Sequence, residues 1–227
     1  MTDFKWKRVS STGRAWTRWL VGGAVLCLGN LAFGEQDRTR TSTANDLPVT
    51  RDVTHPLVRA SLERTTHHVH YDGRYIAISY PGGDVPDSIG VCTDVVIRSY
   101  RALGVDLQKR VHEDMKENFS EYPTHWGLSR PDRNIDHRRV PNLRRFFERH
   151  GESITVTQNG SDYRPGDLVT WMLPGNLPHI GVVSDRVGVS GNPRIVHNIG
   201  SGPKLEDRLF DFPITGHYRY SSREVRR

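Results

Sequence analysis

The chain has 227 residues, 35% of them hydrophobic, with a formal charge of +6 and a mean hydropathy of −0.60. That length allows one domain with an appendage, and two cysteines exclude a disulfide-dense scaffold. Five Trp, eight Tyr and seven Phe can supply a core, which excludes wholesale disorder.

The positive charge is concentrated at the start. Residues 1–34 hold Lys5, Lys7, Arg8, Arg14 and Arg18 against Asp3, which leaves 27 basic and 25 acidic side chains in the remainder. A phosphate-tracking surface needs its Lys and Arg clustered on the folded part, so no nucleic-acid partner is expected. The same 34 residues read as a signal peptide. A basic segment precedes the apolar run from Leu20 to Phe33, and Ala32 and Gly34 flank Phe33 in an A-x-A-like pattern. A spanning helix needs ~20 apolar residues, and this run is shorter and contains Asn30. Cleavage after Gly34 is therefore expected, with a periplasmic or secreted product; membrane attachment arises only if the leader is retained. Cleavage removes Cys27 and leaves Cys92 as the single thiol of a chain in an oxidising compartment.

Residues 35–56, rich in Thr, Asp, Arg and Ser, read as a flexible linker ahead of a domain over 57–227. Val58, Leu62, Thr65 and Val69 recur at helical spacing. Tyr75 to Tyr80 predicts a short buried strand or extended segment, and Pro81 to Asp87 a loop, because Gly and Pro forbid either regular element. From Thr93 the pattern is helical, with Val96, Ser99, Tyr100 and Leu103 on one side and Gly104 as the stop. A second helix starts near Leu107 with Val111, Met115 and Phe119 at steps of four. Residues 120–140 are polar and irregular. Pro141 suits the first turn of a short helix that buries Leu143, Phe146 and Phe147 and stops at Gly151. Then the period becomes two. Strands are expected over Ile154–Thr157, Leu168–Leu173, His179–Ser184 and Arg194–Asn198, with His217–Tyr220 closing the sheet. Helices first and antiparallel strands second make an α+β fold.

Cys92 sits where a glycine-rich loop becomes a helix. The partial positive charge of a helix N-terminus favours a thiolate, which is the nucleophilic form; a small buried hydrophobe is the alternative reading. His179 begins one strand and His197 ends the next. A cysteine on a helix facing a histidine on a sheet, with a third polar group behind it, is the arrangement of a thiol acyl-transfer site. His67-His68-Val69-His70 places His67 and His70 three apart on a helix, yet no zinc-protease or thiolate spacing accompanies them, so no metal or other cofactor is expected. His112-Glu113-Asp114 reads as a solvated helix face. Asp136-His137-Arg138-Arg139 either lines a cleft and grips a carboxylate through its Arg forks or forms a salt-linked loop.

The C-terminal half resembles the NlpC-type cell-wall peptidases, a papain-like superfamily. Cys92, Pro165-Gly166-Asp167-Leu168-Val169, His179-Ile180-Gly181-Val182 and His197 follow that order. More closely, residues from about 55 to 220 resemble the YijF-like family, domain of unknown function 1287. That match is carried by Gly90-Val91-Cys92-Thr93-Asp94-Val95-Val96, Asn134 to Asn142, His197-Asn198-Ile199-Gly200 and Thr215 to Tyr220. The resemblance implies a papain-like NlpC-type fold, with N-terminal helices packed on a C-terminal antiparallel sheet. It also implies a Cys92-His179-His197 site that hydrolyses amide bonds, above all in peptidoglycan stem peptides. Asn198 competes with His197 for the third place. Asp94, Asp136, His137, Arg138 and Arg139 form the expected substrate-binding set, and Tyr80 or a loop amide the second oxyanion donor. An acyltransferase or esterase acting on lipid acyl groups, or a catalytically silent envelope-binding module, are the alternatives. Oligomeric state has no sequence signal.

Overall fold

The computed structural model describes residues 55–221. The leader, Cys27 and nearly all of the expected linker lie outside the described residues.

The first helix, α1 (Pro56–Arg64), starts on a proline and is capped at Thr65, so Val69 and His67, His68 and His70 all fall beyond it. His70 instead lies on β1 (His70–Tyr71), which pairs in parallel with β2 (Ile89–Gly90). The residues from Tyr75 to Tyr80 form no strand: Tyr75 is 57% exposed. Their polar groups are held by side chains from elsewhere. Asn134 accepts from the Ile78 N–H at 3.1 Å, and Gln108 donates to the Ser79 carbonyl at 2.8 Å.

Next come α2 (Cys92–Arg101) and α3 (Leu107–Glu117), the latter capped by Asp106, which accepts from the Lys109 N–H at 3.1 Å. Gly104 between them adopts φ +76°, a conformation that favours glycine at a helix exit. Phe119 lies past the end of α3 in a single 3-10 turn. Asp114 is buried rather than solvated, held by Arg149 at 2.8 Å and by Tyr122 and His150. A 3-10 turn over Asp136–Arg138 then leads into α4 (Val140–His150).

The strands follow: β3 (Glu152–Ser153), β4 (Leu168–Leu173), β5 (Leu177–Val187), β6 (Pro193–His197), β7 (Lys204–Glu206) and β8 (Ile214–Arg219). They form one antiparallel sheet in the order β3-β8-β4-β5-β6-β7. The expected strand over 154–157 is displaced to β3, because the ladder with β8 stops at Ser153 opposite Tyr218. β8 lies inside the sheet, between β3 and β4, rather than at an edge.

Alternation divides the sheet between two cores. Leu168, Ile180, Val182 and Tyr218 face the helices and pack with Leu57, Val96, Tyr100, Leu143 and Phe147. Val169, Trp171, Val183 and Ile195 face the other way, onto Tyr163 and Leu209. Fully withdrawing an apolar side chain is worth roughly 1.5–3 kcal/mol, so Leu57, Val96, Leu143 and Phe147, all at most 1% exposed, fix the helices on the sheet. The architecture is α+β, helices before a C-terminal antiparallel sheet.

Candidate active site

The site begins at the head of α2. Cys92 is the first residue of that helix, and Asp94 accepts a hydrogen bond from the Val91 N–H at 2.7 Å, satisfying one amide that the helix leaves unpaired. Asp94 in turn receives a two-pronged bond from Arg138, at 2.9 Å to each oxygen. The Arg138 fork also reaches the carbonyls of Arg74 and Asp72, and Thr93 donates to the Arg138 carbonyl at 3.0 Å. One buried guanidinium therefore ties α2, with Cys92 at its head, to the segment that carries Tyr71.

Three strands supply the polar chain. The β5–β6 register sets Val182 opposite Val196, and one residue further His197 stands opposite Gly181. His179, two residues before Gly181, is then the diagonal neighbour of His197 on the same face. Gly181 makes the approach possible: a Cβ there would meet Ile195 Cγ2 at 2.6 Å and His197 Cβ at 3.1 Å. The same diagonal recurs across β6 and β7, where Lys204 faces His197 and Glu206 lies two residues on. His179 Nε2 and His197 Nδ1 are 2.8 Å apart, and His197 Nε2 lies 3.0 Å from a Glu206 oxygen. Trp171 packs beside the His179 ring, 5.9 Å between centroids.

This chain of contacts fixes protons. A carboxylate only accepts, so His197 Nε2 carries hydrogen toward Glu206. With one proton on His197, its Nδ1 accepts from His179 Nε2–H. His179 then has a bare Nδ1, the tautomer of a general base.

The sulfur lies against Ile180 on the helix face of β5, whereas His179 alternates to the face it shares with Trp171. The N–H groups of Ile180 and Thr93 and the Tyr71 hydroxyl point at the sulfur. Cys92 is 4% exposed and His179 2%, and among the described residues no hydrogen bond joins the two. Burial pushes the Cys92 thiol up to about 11, with the Asp94 charge adding to it against the pull of the two amides and Tyr71. Burial likewise takes His179 down to about 3, with His197 beside it and only Glu206 opposing. Burial thus works against the expected thiolate, because desolvation of the sulfur outweighs the pull of the Ile180 and Thr93 amides.

Of the expected substrate-binding set, Asp94, Asp136, His137 and Arg138 are at most 6% exposed and spent inside the fold. Asp136 accepts from the Asp132 N–H and from Arg139 at 3.0 Å. Burial drives the His137 pKa down to about 4. Only Arg139 reaches outward, stacking on Trp126 at 4.0 Å. Asn198, fully buried, leans toward the Gly90 carbonyl and accepts from the Gly200 N–H, so the third place beside His179 belongs to His197. The tyrosine at the sulfur is Tyr71; Tyr80 packs edge-on against His112 instead. Sequence reasoning missed Tyr71 and Glu206. Among the described residues no cluster of His, Cys, Asp and Glu is arranged to hold a metal.

The family described as Domain of unknown function (DUF1287) matches residues 58–220, which contain every residue of this site. The protein described as "Uncharacterized protein YijF" from Escherichia coli (strain K12) is 57% identical over 150 residues, covering 66% of this chain and 73% of that protein.

Proposed function

The chain belongs to the DUF1287 family, and on that premise we propose that it is an exported cysteine hydrolase of papain-like, NlpC-type fold that cleaves amide bonds in peptidoglycan stem peptides. The observation that carries the reading is the Glu206–His197–His179 chain, which leaves a base at Nδ1 of His179 one residue from the backbone that touches Cys92.

Turnover starts when the sulfur and the His179 ring come together and the Tyr71 hydroxyl passes from the sulfur to the substrate carbonyl oxygen. Nδ1 takes the thiol proton as sulfur bonds to the amide carbonyl carbon. The oxyanion rests on the Cys92 amide at the head of α2 and on the Tyr71 hydroxyl. The C–N bond breaks, His179 hands its proton to the leaving amine, and a thioester remains. Water adds to that thioester with its proton passing to His179; the acid leaves and the proton returns to sulfur. His197 and Glu206 hold the ring in one tautomer and stabilise the cation that forms on it.

The buried, protonated sulfur favours a second reading, an envelope-binding module without turnover. Purified sacculi separate the two. The wild-type chain should release new amino termini, and Cys92→Ser or His179→Ala should lower that rate by about two to four powers of ten with the fold intact. Release by Cys92→Ser at the wild-type rate would overturn the hydrolase, and no release by any folded chain would favour the module.

A further inference from the structure

A concavity of about 610 Å³ opens between α3 and the loops on either side of it. Lys116, Arg130 and Arg133 line it with Tyr75 and Leu128, against the single acid Asp132. All three cations are exposed, and among the described residues none forms an ion pair. Arg133 stands over the Tyr80 ring at 5.9 Å. Asp132, by contrast, is occupied: it accepts from the Asn134 N–H at 2.9 Å and faces the Tyr75 hydroxyl at 3.4 Å.

The walls are built rather than loose. Asn134 donates to the Tyr75 hydroxyl at 2.7 Å, and Gln108, wholly buried, donates to the carbonyls of Ser79 and Arg133 at 2.8 and 3.0 Å. Both walls are near the candidate site in sequence. Tyr75 is four residues from Tyr71, at most about 14 Å of extended chain. Asn134 is four residues from Arg138, the residue that holds the head of α2.

We propose that this pocket is a carboxylate subsite, taking the acidic groups of a peptide whose scissile amide lies at Cys92. The substrate assignment rests on the hydrolase reading; the anion site itself does not. Three unpaired cations beside an exposed tyrosine and leucine suit an acidic peptide with aliphatic stretches. The site supplies the carboxylate grip that the buried Arg138 cannot.

Binding tests it on a Cys92→Ala chain, which needs no turnover. The probe is a fluorescent synthetic stem peptide with free carboxylates, set beside its fully amidated twin and read by anisotropy. The acid peptide should bind more tightly than the twin, and rising ionic strength should erase the difference. Lys116→Gln, Arg130→Gln and Arg133→Gln should each weaken the acid peptide about two- to fivefold, and the triple variant about tenfold or more. Equal binding of acid and amide, or a triple variant that binds like its parent, would overturn the subsite. A preference for inorganic phosphate over the peptide would overturn the carboxylate assignment. Failure of the hydrolase reading is a separate result, seen in the sacculus assay with Cys92→Ser.

Discussion

Replacing Arg138 by methionine removes one charge from a pair whose side chains are 2% and 3% exposed. Asp94 is then a buried carboxylate without its ion-pair partner, and breaking a buried pair on one side typically costs about 3–5 kcal/mol. In a domain of this size each kcal/mol lowers Tm by about 2–4 °C, so a fall of roughly 6–20 °C is expected. Two carbonyls, of Arg74 and Asp72, also lose their donor, which places the cost in the upper part of that range. The double variant Arg138→Met/Asp94→Asn removes the stranded charge, while the amide oxygen introduced there can still accept from the Val91 N–H. It should recover most of the loss, since replacing both partners of such a pair is often close to neutral. Urea unfolding at neutral pH, followed by far-UV circular dichroism, gives the three free energies and their coupling. The same chains, bound to acid and amidated stem peptides, should discriminate between them as the parent does. A single variant within about 1 kcal/mol of wild type would refute the structural role, as would strictly additive losses or a selective loss of acid-peptide binding.

The remaining expectations concern the site. With the thiol pushed up to about 11, the thiolate fraction at pH 7 is about a hundredfold below that of an ordinary cysteine, so iodoacetamide should label Cys92 slowly. Because the neutral form is favoured, the rate should climb about tenfold per pH unit toward pH 11; rapid labelling with a plateau near neutrality would contradict this. Glu206→Gln keeps the shape but loses the charge that supports the imidazolium. It should lower kcat about ten- to a hundredfold, the worth of a charge-assisted hydrogen bond, with KM and the unfolding midpoint near wild type. Gly181→Ala should push β6 away and separate His197 from His179, lowering both stability and kcat; an alanine variant with wild-type turnover would show that the contact is dispensable.

Periodicity carried the helices and the strand pair that bears the two histidines. Both signals are local: Val111 and Met115 recur every fourth residue, and period-two runs mark the two strands, while the face His179 and His197 share follows from the β5–β6 register. Contacts between distant residues were not legible. Asp94 and Arg138 are 44 positions apart, so Arg138 read equally well as a substrate clamp or a salt link. The apolar run Ile76-Ala77-Ile78 looked like a strand, but no neighbouring strand exists among the described residues, and its backbone partners are the distant side chains of Asn134 and Gln108. Glu206 lies on a three-residue strand with two charges, too short and too polar to show a pattern. The state of Cys92 depended on how deeply the sulfur is covered, and a helix start cannot reveal that. Tyr71, which covers it, joined the site through a two-residue parallel pairing with Ile89 and Gly90.

Capture of the acyl group tests the nucleophile most directly. The wild-type chain is mixed with an activated ester of a stem peptide, quenched in acid, and its intact mass and tryptic fragments are measured. A thioester confined to Cys92, absent from Cys92→Ala and formed far more slowly in His179→Ala, is the predicted result. Turnover of the ester with no adduct on Cys92, or with an adduct that forms equally fast without His179, would contradict it.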